Sequence, residues 1–150
     1  MKNILKSIFY LFFPLLVGTI VGIVTRPGAD FALLNKPPLA PSGIVFPIVW
    51  TILYLLMGIS YFIFRRNHDD ETTSLVYYLQ LFINAMWSII FFLWELRLVA
   101  VFWTIILDIF VGLLIYLFYK RERISAYLNI PYFLWCLFAT YLTIGFYVLN

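Results

Sequence analysis

Tryptophan and tyrosine are the residues of this chain with chemistry to offer, and their spacing presents them as walls for a flat apolar ligand. Trp50, Tyr54, Met57 and Tyr61 recur at intervals of four, three and four, along one side of a helix. Trp135, Phe138, Ala139 and Leu142 form a second such side. Indoles stack on conjugated rings, so Trp50 and Trp135 could sandwich one. The plainer alternative is that tryptophans form interfacial belts. It suits Trp94 and Trp103, near span ends, better than Trp50 and Trp135, which are preceded by several residues of their own helices.

Other chemistries find no support. The sequence shows no metal-ligand cluster, no nucleophile with an adjacent base and no phosphate-cradling glycine loop. His68 is the only histidine, in a charged turn rather than at membrane depth, where a haem ligand or proton relay would be needed. Cys136, the only cysteine, reads as a small buried apolar residue.

A few polar residues interrupt the apolar runs, and inside lipid each should face protein or water. Gln80, Asn84 and Ser88 are spaced by four, with Trp87 and Phe91 on the same side; Thr104, Asp108 and Gly112 repeat the spacing. Two readings stand for the first stripe: hydrogen bonds that hold helices together, or an orienting contact from Asn84 in an apolar cavity. Asp108 is a lone carboxyl near mid-span with no Lys or Arg at its depth. It must be protonated or paired with neutral groups, and a structural role at a helix crossing is favoured over a proton path.

The elements that position these residues follow from composition. With 65% hydrophobic residues, 11% charged and a mean hydropathy of +1.00, the 150-residue chain has too little polar surface for a soluble domain. About 20 apolar residues cross the ~30 Å hydrocarbon core, and five segments qualify: 7–25, 44–64, 75–94, 98–119 and 124–149. The chain is expected to be an all-α membrane protein, one bundle of five transmembrane helices spanning 1–150. The first apolar run, behind Lys2 and Lys6, is too long for a signal peptide and lacks an Ala-x-Ala-like exit, so it is kept as a helix. Gly18 and Gly22 on it allow close backbone approach, inside the chain or across a dimer seam.

Lys2, Lys6, Arg65, Arg66, Lys120, Arg121 and Arg123 lie on one side, Arg26, Lys36 and Arg97 on the other. This bias puts the amino terminus in the cytoplasm and the carboxyl terminus outside. The basic residues flank spans, where they anchor at lipid headgroups, so no nucleic-acid partner is implied. The loop 26–43 then faces outward. Pro37, Pro38, Pro41 and the following Pro47 fix φ and remove donors, so 36–42 should be an ordered, non-helical lid.

Three blocks of the sequence resemble the translocator protein family, also called the tryptophan-rich sensory protein or peripheral-type benzodiazepine receptor family. The first is Lys36-Pro37, Pro41, Pro47-x-x-Trp50, Leu53-Tyr54 and Met57-Gly58, on to Ser60-Tyr61; the second is Gln80, Asn84, Trp87 and Phe91-Phe92, with Asp108 on the next helix. Pro131-Tyr132-x-x-Trp135-x-x-Phe138-Ala139-Thr140 is the third. The resemblance implies a bacterial cell-membrane protein, commonly a homodimer, whose first loop caps a cavity. It implies binding of porphyrins such as protoporphyrin IX, as ligand or substrate with no other cofactor required. Synthetic isoquinoline carboxamides and benzodiazepines are further implied ligands. The implied lining is Pro41, Phe46, Trp50, Tyr54, Asn84, Trp87, Trp135 and Ala139. Light-dependent porphyrin breakdown, with Trp50 and Trp135 as participants, is an implied activity, and transport of porphyrin or another lipophile the alternative. Two departures bear on ligands. No basic residue follows Tyr147, which puts the sterol pattern of animal members in doubt, and Leu39 and 42–44 replace aromatic residues of some relatives.

Overall fold

The computed structural model describes residues 2–26 and 29–150. The described residues form helices and connecting turns, with no strand among them: α1 (Lys2–Val24), a short α2 (Ala29–Ala32), α3 (Val45–Asn67), α4 (Glu71–Ser88), α5 (Arg97–Arg121), α6 (Arg123–Leu128) and α7 (Ile130–Leu149). α4 runs on into a π-helical turn, Ile89–Leu93, closed by the Trp94 N–H donating to the Ile89 carbonyl at 2.9 Å. Five stretches are long and apolar enough to cross a membrane: Asn3–Val24, Val45–Asn67, Glu71–Leu93, Arg97–Arg121 and Arg123–Leu149. They are the five expected segments. Several extend further than the apolar runs because charged residues at headgroup level, such as Lys6, Arg66 and Arg121, continue a helix as readily as apolar ones.

The last span is not one unbroken helix. Pro131 has no N–H to return to the preceding turn, and the chain breaks at Asn129, leaving Pro131 in the first turn of α7. The buried Asn129 side chain bridges this break, its Nδ2 donating to the Ser60 hydroxyl at 2.6 Å and to the Ser125 carbonyl at 2.8 Å. Ser60 and Ser125 also donate to each other's carbonyls, at 2.9 and 2.7 Å, which ties α3 to α6.

α1 packs along α3, and α5 lies between α4 and α7. Gly58 is what lets α1 approach α3, since a Cβ there would run into the Leu11 carbonyl. The core between the helices holds Met57, Tyr61, Phe64, Tyr77, Leu114, Phe118 and Tyr132, with Tyr61 and Tyr77 stacked at 4.0 Å and 3°. Outward, α1 exposes Ile4, Leu5, Ile8, Phe12, Leu16, Ile20 and Ile23, the surface lipid is expected to cover.

At the α3–α4 turn the charged residues form a network. Asp70 caps α4: its Oδ1 accepts from the Thr72 N–H at 3.3 Å and its Oδ2 from the Thr73 hydroxyl at 2.6 Å, with Arg121 Nε 3.0 Å from the same Oδ2. The Thr73 bond, helped by the Arg121 charge, holds the Asp70 carboxyl below its ordinary range. Arg65 pairs with Asp69 at 2.8 Å, and His68 Nε2 lies 3.8 Å from Glu122.

The loop 26–43 crosses the other end of the bundle; its residues 27 and 28 lie outside the described residues. Residues 36–42 are non-helical as the prolines require, with a turn in which the Ala40 N–H donates to the Pro37 carbonyl at 3.2 Å. Leu39, at φ 69°, takes the left-handed position of that turn, which a branched side chain adopts at a cost.

Candidate ligand-binding site

Two antiparallel helices, α3 and α7, face each other through aromatic rings. Phe46 meets Trp135 edge-on at 6.0 Å, and a turn deeper Trp50 meets Tyr132 edge-on at 6.2 Å. Trp50 also stacks on Tyr54 at 5.4 Å, and Trp135 leans on Phe138 at 5.4 Å. Trp50 and Trp135 therefore stand on opposite helices at diagonal corners of one aromatic wall, each half-buried. α4 and its π turn supply a third side, where Trp87 stacks on Phe91 at 5.2 Å and packs in one cluster with Phe46, Phe138 and Ala40. Ala139 and Pro41 are half-buried.

Behind the rings runs a directed chain of hydrogen bonds. The Tyr54 hydroxyl donates to Asn84 Oδ1 at 2.7 Å, Asn84 Nδ2 donates to the Tyr132 hydroxyl at 2.8 Å, and that hydroxyl donates to Gln80 Oε1 at 2.8 Å. Gln80 Nε2 ends the chain at Met57 Sδ, 3.8 Å away. The two readings of the polar stripe thus meet in one feature: Gln80 and Asn84 are buried and join α4 to α3 and α7. Asn84 retains one amide hydrogen for another partner. Ser88 stands outside the chain.

Three buried donors are left over among the described residues: two indoles and Arg97 Nε. Nε1 of Trp87 and Nε1 of Trp135 are buried without a hydrogen-bond partner among the described residues, whereas Trp103 Nε1 donates to the Ile83 carbonyl at 2.7 Å. Sequence reasoning identified these two tryptophans as rings; that their N–H groups are spare was not legible. A buried donor normally finds an acceptor, so each marks a place where one is wanted.

Asp108 faces α7, and the Thr140 hydroxyl lies 2.6 Å from its Oδ2 and 3.0 Å from the Cys136 carbonyl. Its Oδ1 is buried and unpartnered among the described residues. The group is thus held at the α5–α7 crossing by a hydroxyl rather than by a cation.

The lid is fastened to α7. The Pro37 ring occupies the space a side chain at Gly145 would need, and the Tyr141 hydroxyl donates to the Pro38 carbonyl at 2.7 Å. Asn150 clasps Asn35 twice, accepting from its N–H at 2.9 Å and donating to its carbonyl at 2.9 Å. Phe31 packs against Phe91, Phe92 and Phe146 at 6.4, 5.2 and 5.5 Å, which closes the lid over the π turn. Sequence reasoning missed Asn35, Tyr141 and Asn150, because nothing in their spacing links residues more than a hundred positions apart.

Gly18 also finds its partner inside the chain: a Cβ there would collide with the Tyr54 ring. A Cβ at Gly22 would meet nothing within 4 Å. Among the described residues no group of three or more His, Cys, Asp or Glu could hold a metal ion.

Five apolar helices, carrying an aromatic wall under a docked loop, define an integral membrane protein. The TspO/MBR family model matches residues 10–149, and the chain belongs to that family. It is 34% identical over 152 residues to the tryptophan-rich protein TspO of Archaeoglobus fulgidus, covering 99% of both chains. It is 29% identical over 153 residues to the protein of the same name from Bacillus cereus, covering 100% of this chain and 99% of the relative. A tryptophan-rich sensory protein of Cereibacter sphaeroides is 28% identical over 119 residues, covering 79% of this chain and 75% of the relative.

Proposed function

We propose that this chain is a membrane receptor for porphyrins, protoporphyrin IX above all, and for similar flat lipophiles, including isoquinoline carboxamide and benzodiazepine compounds. The pair of buried indole N–H groups at Trp87 and Trp135, without a partner among the described residues and set in an aromatic wall, carries this reading. An unsatisfied buried donor costs about 1–3 kcal/mol, which a carboxylate or carbonyl oxygen on a bound ligand would recover. The rings of Trp50, Tyr54 and Phe46 supply the face on which a macrocycle lies, and Pro41 and Ala139 complete the lining near the lid. The sensory role in the Cereibacter relative's name is in keeping with a receptor.

Light adds a second stage. A bound porphyrin would absorb light and react with oxygen, and Trp50 and Trp135 on the wall would supply oxidisable indoles while the protein confined the products. In a bacterial cell membrane the amino terminus would lie in the cytoplasm and the lid outside. The protein would act there as a homodimer, whose seam would have to use a surface other than Gly18, already filled by Tyr54.

Transport of porphyrin or another lipophile is the second reading, favoured by one observation: at membrane depth Asp108 carries a carboxyl oxygen with no partner among the described residues. Asp108→Asn should then abolish flux while sparing binding. For the first reading, purified protein with protoporphyrin IX is illuminated and its absorption spectrum followed in wild type, Trp50→Phe and Trp135→Phe. A new pigment made by wild type alone supports a chemical role for the two indoles. Loss of porphyrin at the protein-free rate in all three removes it.

A further inference from the structure

At the end of the bundle remote from the lid, α1, α3 and α4 border an open pocket of about 330 Å³, lined by Tyr10, Tyr61, Tyr78, Arg65, Glu71 and Ser74. It shares no residue with the aromatic wall. Its floor is firm, because Tyr61 is stacked on the buried Tyr77 at 4.0 Å and meets Tyr10 and Tyr78 edge-on at 5.2 and 5.4 Å. Its rim holds both signs of charge close together. Arg65 Nη1 lies 3.4 Å from the Ser74 hydroxyl and 3.7 Å from a Glu71 carboxylate oxygen, and the Glu71 side chain is 86% exposed.

This pairing selects among ligands. Arg65 and Ser74 together offer donors to a phosphate oxygen. Glu71 offers an acceptor for an ammonium group, and the Tyr10 and Tyr78 rings offer it π faces. Arg65 and Glu71 bring one charge of each sign to the lining, and Asp69 also lies 2.8 Å from Arg65, so a purely anionic group meets repulsion as well as attraction. A zwitterion with phosphate and primary amine two carbons apart satisfies both ends. The pocket lies where the span of α3 gives way to its charged end, and the lining Leu75 is exposed on the outer face of α4, an apolar surface for the start of an acyl chain. We propose that this pocket binds the phosphoethanolamine headgroup of a membrane phospholipid.

The test is calorimetric titration of the purified full chain in detergent with dihexanoylphosphatidylethanolamine, dihexanoylphosphatidylglycerol and free phosphoethanolamine. The expected result is saturable binding of the ethanolamine lipid about tenfold tighter than the glycerol lipid, the difference made by one charge-assisted contact. Free phosphoethanolamine should bind more weakly than the lipid; equal affinity would overturn the lipid as the source. Arg65→Gln should weaken binding of both lipids. Glu71→Gln, at an exposed position that does not threaten the fold, should bring the two lipids to about equal affinity. Equal affinities in the wild type, or a preference that survives Glu71→Gln, overturns the proposal.

Discussion

The ring of Tyr54 fills the space beside Gly18, so the absence of a side chain on α1 sets where a ring of the aromatic wall on α3 can stand. Gly18→Leu must push Tyr54 aside and break its bond to Asn84. The expected cost is about 1–3 kcal/mol, with porphyrin affinity falling alongside. Gly22→Leu, where nothing lies within 4 Å, should be close to neutral. Thermal unfolding in detergent, read beside a binding titration, separates the two.

Tyr132 is the middle of the hydrogen-bond chain, accepting from Asn84 and donating to Gln80. Tyr132→Phe strands two buried amides, whereas Tyr54→Phe removes only the first link. We expect about 1–2 kcal/mol for the former and under ~1 kcal/mol for the latter. The two losses should be non-additive in a double-mutant cycle, because the bonds share Asn84.

The lid is held by few contacts, so it can be loosened without disturbing the helices. Asn150→Ala with Tyr141→Phe removes the Asn35 clasp and the bond to Pro38. Amide exchange over 33–41 should accelerate, and the ligand off-rate should rise by roughly three- to tenfold, the scale of about 1 kcal/mol. Unchanged off-rates would mean that the loop does not gate the site.

Asp70 gives a pH signature. Its folded-state carboxyl titrates below the ordinary range, so the stability it contributes is complete above about pH 5 and is lost as pH falls through the folded value. The unfolding midpoint of wild type should drop between about pH 5 and pH 3 by more than that of Asp70→Asn, which keeps a capping side chain without the charge. Parallel curves would remove Asp70 as the source.

The five spans were legible because apolar runs of membrane length leave little choice of structure. That Trp50 and Tyr54 share a side of α3 was legible because helical periodicity decides which residues align along a helix. Hydrogen-bond direction was not: Asn84 could be read as a ligand contact or a helix tie, and only three-dimensional placement shows its atoms engaged by Tyr54 and Tyr132. Gly18 likewise fitted a dimer seam or an internal contact until the position of the Tyr54 ring decided it. The π turn at Ile89–Leu93 adds a residue to the helix with no proline or glycine to announce it.

The most direct test of the site is a dark titration of purified protein with protoporphyrin IX, following the porphyrin absorption band in wild type, Trp87→Phe, Trp135→Phe and Trp94→Phe. Trp94 is exposed near the end of the third span and serves as the control. Saturable binding in wild type and Trp94→Phe, weakened roughly three- to tenfold in each of the other two, is the expected result for two indole N–H groups that meet the ligand. Equal affinity in all four proteins, or no saturable binding in wild type, would contradict it.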